Sequence, residues 1–407
     1  MDDKAPAIRK DLEFIPVQQG NQQLILIRDH LGLVREGMGV APHLFQIMAL
    51  LDGTKTIRDL QMELMRQRGG VIVGADEVSD LLKKLDDAFM LDSEKFNKAK
   101  YQIEAEFNAS TVRPCFHCGK SYPDNPAELK KRLDQILTVC PPDPRPNGKI
   151  VGLIAPHIDP AAGQDVYASA YQMLKYTAPS RVVLLGVGHQ MGNGLFCLTE
   201  KNFETPLGLV KNEPALVRGL RKAGKDILTE MDFAHRSEHS IEFQVIFLQH
   251  LLGTETFTIV PILCGSFQSG LPEYSRNTFL RKTEPFLCEL RRIINEPGYE
   301  TLLVAGVDFA HIGPKFGHNM PAGYLENQAK THDNNLLKYL GKLEAERFWE
   351  ESIRVEDRFN VCGFPAMAAM LEVLPACHGE IINHRYHHER PTQSAVSFAA
   401  VVFVAQN

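Results

Sequence analysis

The run Leu302–His311, LLVAGVDFAH, holds only apolar or small residues until it stops on Asp308 and, three residues later, on His311. Two earlier stretches have the same form. Ile150–His157, IVGLIAPH, and Val182–His189, VVLLGVGH, are apolar runs that each end on a histidine. An unbroken apolar run suits a strand whose sheet is covered by helices on both faces, because no side is left for polar residues. Thr258–Leu263 and Val396–Val404 supply further strands of this kind, and helical patterns separate them. The expectation is a three-layer α/β domain. In open α/β sheets the carboxyl ends of the strands form the crevice where ligands bind, so these polar residues are expected to meet there. One strand ending in His is ordinarily packing or surface, whereas three strands ending in polar groups point to a shared, metal-type site. Gly186 and Gly188 flank the approach to His189, where small residues let backbone and side chain come close to a bound group.

A thiol joins this set. Val361-Cys362-Gly363-Phe364-Pro365 precedes an apolar helix, and a cysteine at a helix N-terminus favours the thiolate that ligates metal or attacks an electrophile. Its alternative is a small buried hydrophobe, which is the reading for Cys197, Cys264, Cys288 and Cys377. Cys115-Phe116-His117-Cys118 has the spacing of a redox or half-zinc motif, but no second cysteine pair follows to close a zinc site. His117 is expected to line the crevice if this arm packs across the strand ends. Ser237-Glu238-His239-Ser240-Ile241-Glu242 reads as a helix cap with acids in the first turn. Glu238 and His239 either cap alone or reach the site as supporting or acid/base groups. His387-His388-Glu389-Arg390 is read as a solvated loop, since adjacent residues of an extended chain point to opposite sides.

The rest of the 407-residue chain bounds the problem. With 44% hydrophobic and 23% charged residues it has the composition of a globular protein, and its length suits two domains. A net charge of -6 gives no basic face for nucleic acid. No signal-like N-terminus or membrane-length apolar run is present, so the expected location is cytoplasmic, with eight cysteines expected as free thiols. Leu24–Asp29 reads as one short strand. Helices are expected from Pro42 to Leu51, from a Thr56 cap onward, and from Asp76 to Leu91, with a Val71-Ile72-Val73 run between the last two. This pattern resembles a winged-helix, PqqD-like peptide-recognition module, carried by MALLDGTKTIRDL at 48–60; a generic helical cap domain is the alternative. The domains are therefore drawn at 1–100 and 112–407, with 101–111 as linker. The charged stretch Glu94–Phe107 reads as linker or exposed helix, a helix is expected at Pro126–Leu137, and Pro141–Pro146 reads as a rigid loop.

From residue 112 onward the ordered motifs resemble the Memo family, also called AmmeMemoRadiSam system protein B. The likeness rests on Arg113–Tyr122, Ala155-Pro-His157, Gly188-His189, Thr205-Pro-Leu207 and Glu238–Glu242. It continues in Val260–Gly265, Asp308-Phe-Ala-His311, Cys362-Gly363 and Ser394–Ala400. The resemblance implies a fold similar to class III extradiol dioxygenases, in which a cysteine takes the place of the carboxylate ligand. It implies that His157, His189 and Cys362 ligate one iron(II) or copper ion, with Asp308 and His311 beside it as acid/base or supporting groups. Such a ligand set leaves coordination positions open, which suits redox or oxygen chemistry. The sequence departs from the family at Asp159, which adds a carboxylate after the first ligand, and at Gln190, which replaces a histidine after the second.

Three functions are compatible with these residues. The first is a metal-dependent redox or dioxygenase-like enzyme acting on a small molecule or peptide, with His311 moving a proton. The second is a non-enzymatic peptide-binding adaptor associated with a radical-SAM system. The third is thiol redox catalysis by Cys115 and Cys118.

Overall fold

The computed structural model describes residues 4–20, 22–141 and 146–406. The proline loop expected at Pro141–Pro146 falls mostly outside them. The chain divides into two units, one running to Ala109 and taking in Arg390–Gln393, the other comprising Ser110–Glu389 and the chain from Ser394.

The first unit opens with β1 (Leu12–Gln19), β2 (Gln22–Asp29) and β3 (Gly39–Val40), an antiparallel sheet in that order. It continues with α1 (Pro42–Met48), α2 (Ile57–Gln67), α3 (Ala75–Asp87) and α4 (Glu94–Ala109). The strand content thus exceeds the single element expected. Thr56 caps α2 in a reciprocal pair with Asp59, as the sequence suggests. Helix α3 stops at Asp87 rather than Leu91 because Phe89 turns the chain through a left-handed conformation, φ 56°, so that Met90 and Leu91 enter the core. Val71–Val73 forms no strand; Ile72 is 83% exposed while Val73 is buried. The segment expected as linker is largely helical, since α4 continues to Ala109 with Phe96 and Phe107 buried. Arg9 ties the unit together, with its guanidinium on Asp29, 2.6 Å away, and over the Phe96 ring.

The second unit contains β4 (Val112–Arg113), α5 (Pro126–Leu137), β5 (Ile150–Ala155), α6 (Gln164–Gln172), β6 (Arg181–Val187), β7 (Phe196–Leu198), β8 (Asn202–Thr205) and β9 (Gly208–Val210). Then come α7 (Pro214–Gly224), α8 (His239–Leu252), β10 (Thr258–Cys264), the short α9 (Phe267–Gly270), α10 (Arg276–Ile294), β11 (Thr301–Gly306) and β12 (His311–Ile312). The chain closes with α11 (Glu326–Gly341), α12 (Ala345–Val355), α13 (Phe364–Val373), β13 (Cys377–Glu389) and β14 (Ser394–Ala405).

The main sheet runs β12-β14-β5-β11-β6-β10-β7, with β13 also paired to β14. Its centre, β5-β11-β6-β10, is parallel, and its flanks are antiparallel. The fold is therefore mixed α/β. Side chains alternate across it as strand geometry requires. Leu303, Ala305, Val183 and Leu185 pack on one face with residues of α7, α10, α12 and α13. Leu302, Val304, Val182 and Leu184 pack on the other with residues of α5, α6 and α8. Two-sided burial explains why the runs are uninterruptedly apolar.

Three local expectations need correction. Cys115 and Cys118 form a disulfide, because the turn between them brings the two sulfurs together. Cys288 is exposed, on the outer side of α10 with its thiol against Glu284, whereas Cys197, Cys264 and Cys377 are buried. His387-His388-Glu389 belongs to strand β13 and not to a loop, since β14 offers it a full antiparallel partner. Among the described residues no helix is long and apolar enough to cross a membrane.

Candidate metal centre

Three neighbouring parallel strands deliver the site. His157 follows β5, Asp308 follows β11 and His189 follows β6, all at carboxyl ends. Cys362 arrives from the other direction, just before α13, whose N-terminus is held close because Gly363 N–H donates to the Asp308 carbonyl, 3.2 Å away. A Cβ on Gly363 would run into Val307 and that same carbonyl, so glycine is what allows the approach.

One nitrogen of His157 is already committed. Its Nδ1 lies 3.0 Å from the Gly306 carbonyl, which only accepts, so Nδ1 is protonated and Nε2 points into the cluster. There Nε2 is 3.4 Å from Cys362 Sγ and 3.6 Å from Asp308 Oδ2. His189 is arranged alike, with Nδ1 3.0 Å from Glu238 Oε2, and its backbone N–H donates to the same oxygen at 3.1 Å. Donor atoms of His157, His189 and Cys362 all lie within 4.8 Å of one another. The His157 side chain is 2% exposed and that of His189 30%, so the cluster opens to solvent on the His189 side.

The electrostatics favour a charged pair. Burial alone would push the Cys362 thiol up, but His157 and then His311 outweigh it and bring it down to about 5. Burial would lower His157, yet the Asp308 carboxylate and the Cys362 thiolate raise it to about 9. At neutral pH the thiol is therefore a thiolate, the form that binds metal.

Glu238 is the N-cap of α8, accepting from Ser240 N–H at 2.9 Å. Despite its burial, His189 and His239 hold its carboxyl well below the usual range. The His239 ring stacks on His189 with centroids 4.9 Å apart and meets His157 edge-on at 5.1 Å; burial keeps it neutral. His189, Glu238 and His239 form a second grouping of potential ligands. Asp308 is buried and holds His157 in place by accepting its backbone N–H at 3.0 Å. His311 sits on β12 with Nδ1 2.9 Å from the Phe309 carbonyl and its ring against Phe316. His117 reaches the cluster from the arm after β4: Nε2 is 2.9 Å from the Ser237 carbonyl, and its ring is 5.6 Å from that of His239. Burial lowers its pKa.

Two of the residues singled out by sequence are not brought into the cluster. Asp159 is exposed and accepts Ala161 N–H at 2.8 Å, stabilising its own turn, and Gln190 is exposed after His189. Two contributors escaped sequence reasoning. The Gly306 carbonyl is a backbone group that any residue would carry, and its only signal is a glycine at the end of an apolar run. Asp357 accepts Val361 N–H at 3.1 Å beside Cys362, and burial lifts its carboxyl to about 6.

Comparison with known proteins matches a family model described as Memo-like protein to residues 113–402. The chain is 28% identical over 400 residues to a MEMO1 family protein of Aquifex aeolicus, covering 97% of this chain and 100% of the relative. It is 27% identical over 351 residues to a MEMO1 family protein of Thermus thermophilus, covering 86% and 99%. It is 26% identical over 315 residues to "Protein memo-1 homolog" of Caenorhabditis elegans, covering 73% and 84%. The alignment with the Aquifex protein takes in the N-terminal unit as well as the α/β unit.

Proposed function

We propose, starting from the fact that this chain belongs to the Memo-like protein family, that His157, His189 and Cys362 hold one redox-active ion, iron(II) or copper, for metal-dependent redox chemistry. The observation that carries this reading is that both histidines have Nδ1 committed, to the Gly306 carbonyl and the Glu238 carboxylate, so that Nε2 is directed at a depressed-pKa thiolate. Metal-ligating histidines characteristically use their second nitrogen in this way, because the outer hydrogen bond fixes both tautomer and ring orientation. Two imidazoles and a thiolate fit iron or copper, and a set of three leaves positions for a substrate. A bound ion would supply electron transfer or oxygen activation.

The chain's own groups have separable tasks. Asp308 orients His157 through its backbone N–H and sets the charge beside it. Glu238 orients His189 through both ring and backbone. His311, with Nδ1 bonded to Phe309, keeps Nε2 for proton transfer. The more exposed His189 side is the direction of substrate entry.

Anaerobic loading with iron(II) or with copper(I), followed by metal analysis, tests the reading. About one ion per chain is expected in the wild type. After oxidation of the copper-loaded protein to copper(II), the wild type should show a thiolate-to-copper absorption that Cys362→Ser lacks, and the variant should retain much less metal. A correctly folded wild type that stays metal-free with both ions would end the proposal.

A further inference from the structure

Cys115 and Cys118 are joined by a disulfide with Cα atoms 5.9 Å apart, and His117 lies between them. The segment is already anchored without that bond. Phe116 N–H and His117 N–H donate to the Glu242 carboxylate at 3.1 and 2.9 Å, and Arg113 and Tyr122 close on the same group. A disulfide that closes so short a loop restrains the unfolded chain least, so stability is a poor account of it. Its surroundings offer another. The His117 ring is 5.6 Å from that of His239, which in turn is 5.1 Å from His157 and 4.9 Å from His189. Two ring contacts therefore connect the sulfur pair to the candidate ligands, and both cysteines are half-buried, within reach of solvent.

We propose that Cys115–Cys118 is a thiol–disulfide exchange site that takes electrons from a dithiol reductant, and that its redox state, transmitted through His117 and His239, sets the reactivity of the Cys362 centre. Cys118 packs against the apolar layer beneath it, which assigns the first attack to Cys115. A thiolate of the reductant bonds to Cys115 Sγ and the Cys115–Cys118 bond breaks, leaving Cys118 as a thiolate that takes a proton. The reductant's second thiolate then bonds to its own first sulfur, releasing Cys115, which is protonated in turn. Two electrons and two protons pass to the protein, and the reductant leaves as a disulfide. The second part of the proposal rests on the site reading above; the first does not.

The full chain, freed of metal with a chelator, is equilibrated in mixtures of reduced and oxidised dithiothreitol, and its thiols are pulse-labelled with N-ethylmaleimide and located by mass spectrometry. The peptide containing residues 115–118 should gain two labels together as the mixture becomes reducing, and lose both on reoxidation. Cys362 should be labelled at a rate that differs about threefold or more between the two states. The Cys115→Ser/Cys118→Ser variant should label Cys362 at the reduced-state rate in every mixture. A pair that stays dithiol in the oxidising mixture, or a disulfide that resists reduction in the folded protein, overturns the exchange site. An unchanged Cys362 rate in the wild type overturns the coupling. Because no metal is present, failure of the chain to bind iron or copper leaves each of these outcomes readable.

Discussion

At the scale of single residues, the candidate centre depends on which nitrogen or oxygen is already engaged. His157 and His189 become matched donors because a carbonyl and a carboxylate take up their Nδ1 atoms. Glu242 does comparable work for the arm, gathering Arg113, Tyr122 and two backbone N–H groups on one buried carboxylate. Burial would raise its pKa, but Arg113 outweighs that and leaves it lowered. Its contribution to stability is therefore complete above the usual carboxylate range and is lost as pH falls through the depressed folded value. Arg113→Met should cost about 3–5 kcal/mol near neutrality by stranding that charge. In the variant the carboxyl moves upward and takes its proton at a higher pH. The deficit should therefore narrow between about pH 7 and about pH 4, as read by urea denaturation. A deficit that widened toward acid would contradict the sign of this argument.

At the scale of elements, the site is made by strand ends and the N-termini of α8 and α13. Gly306 shows how closely they must fit. A Cβ there would collide with the Ser240 carbonyl and the Gln244 side chain of α8, so β11 and α8 approach to a distance that only glycine permits. Gly306→Ala should cost about 1–3 kcal/mol in thermal or denaturant unfolding through overpacking. By shifting the carbonyl that orients His157, it should also weaken metal binding about 10–100-fold in a competition titration. Normal affinity in a folded Gly306→Ala protein would remove that carbonyl from the account. The elements were unevenly legible. The Thr56 cap with Asp59 and the Pro126–Leu137 helix carry local signals that survive into the structure. The end of α3 does not, because the left-handed turn at Phe89 has no glycine to announce it.

At the scale of the whole molecule, a mixed sheet covered on both faces carries the stability, and the candidate site sits at the carboxyl ends of its central strands. Leu303, fully buried in the central strand β11, belongs to the layer packed against α10 and α13. Leu303→Ala should cost about 2–5 kcal/mol of global stability while leaving metal stoichiometry unchanged in the protein that remains folded. Loss of metal binding in proportion to the folded fraction is the expected control. The amino-acid sequence by itself determined the α/β class and the strands that end on His157, His189 and Asp308, because two-sided burial and strand termination are written in consecutive residues. It also marked Cys362 and the Glu238-His239 cap through their place before helices. Only the tertiary structure decided that His239 stacks on His189 and His117 meets His239 edge-on beside the candidate cluster, that Asp159 and Gln190 stay outside it, and that the Gly306 carbonyl orients His157. It alone joined Cys115 to Cys118. The disulfide spans only three residues and depends on the conformation of the turn between them; the other outcomes depend on distances between segments far apart in the chain and on backbone groups common to every residue, which local pattern does not encode.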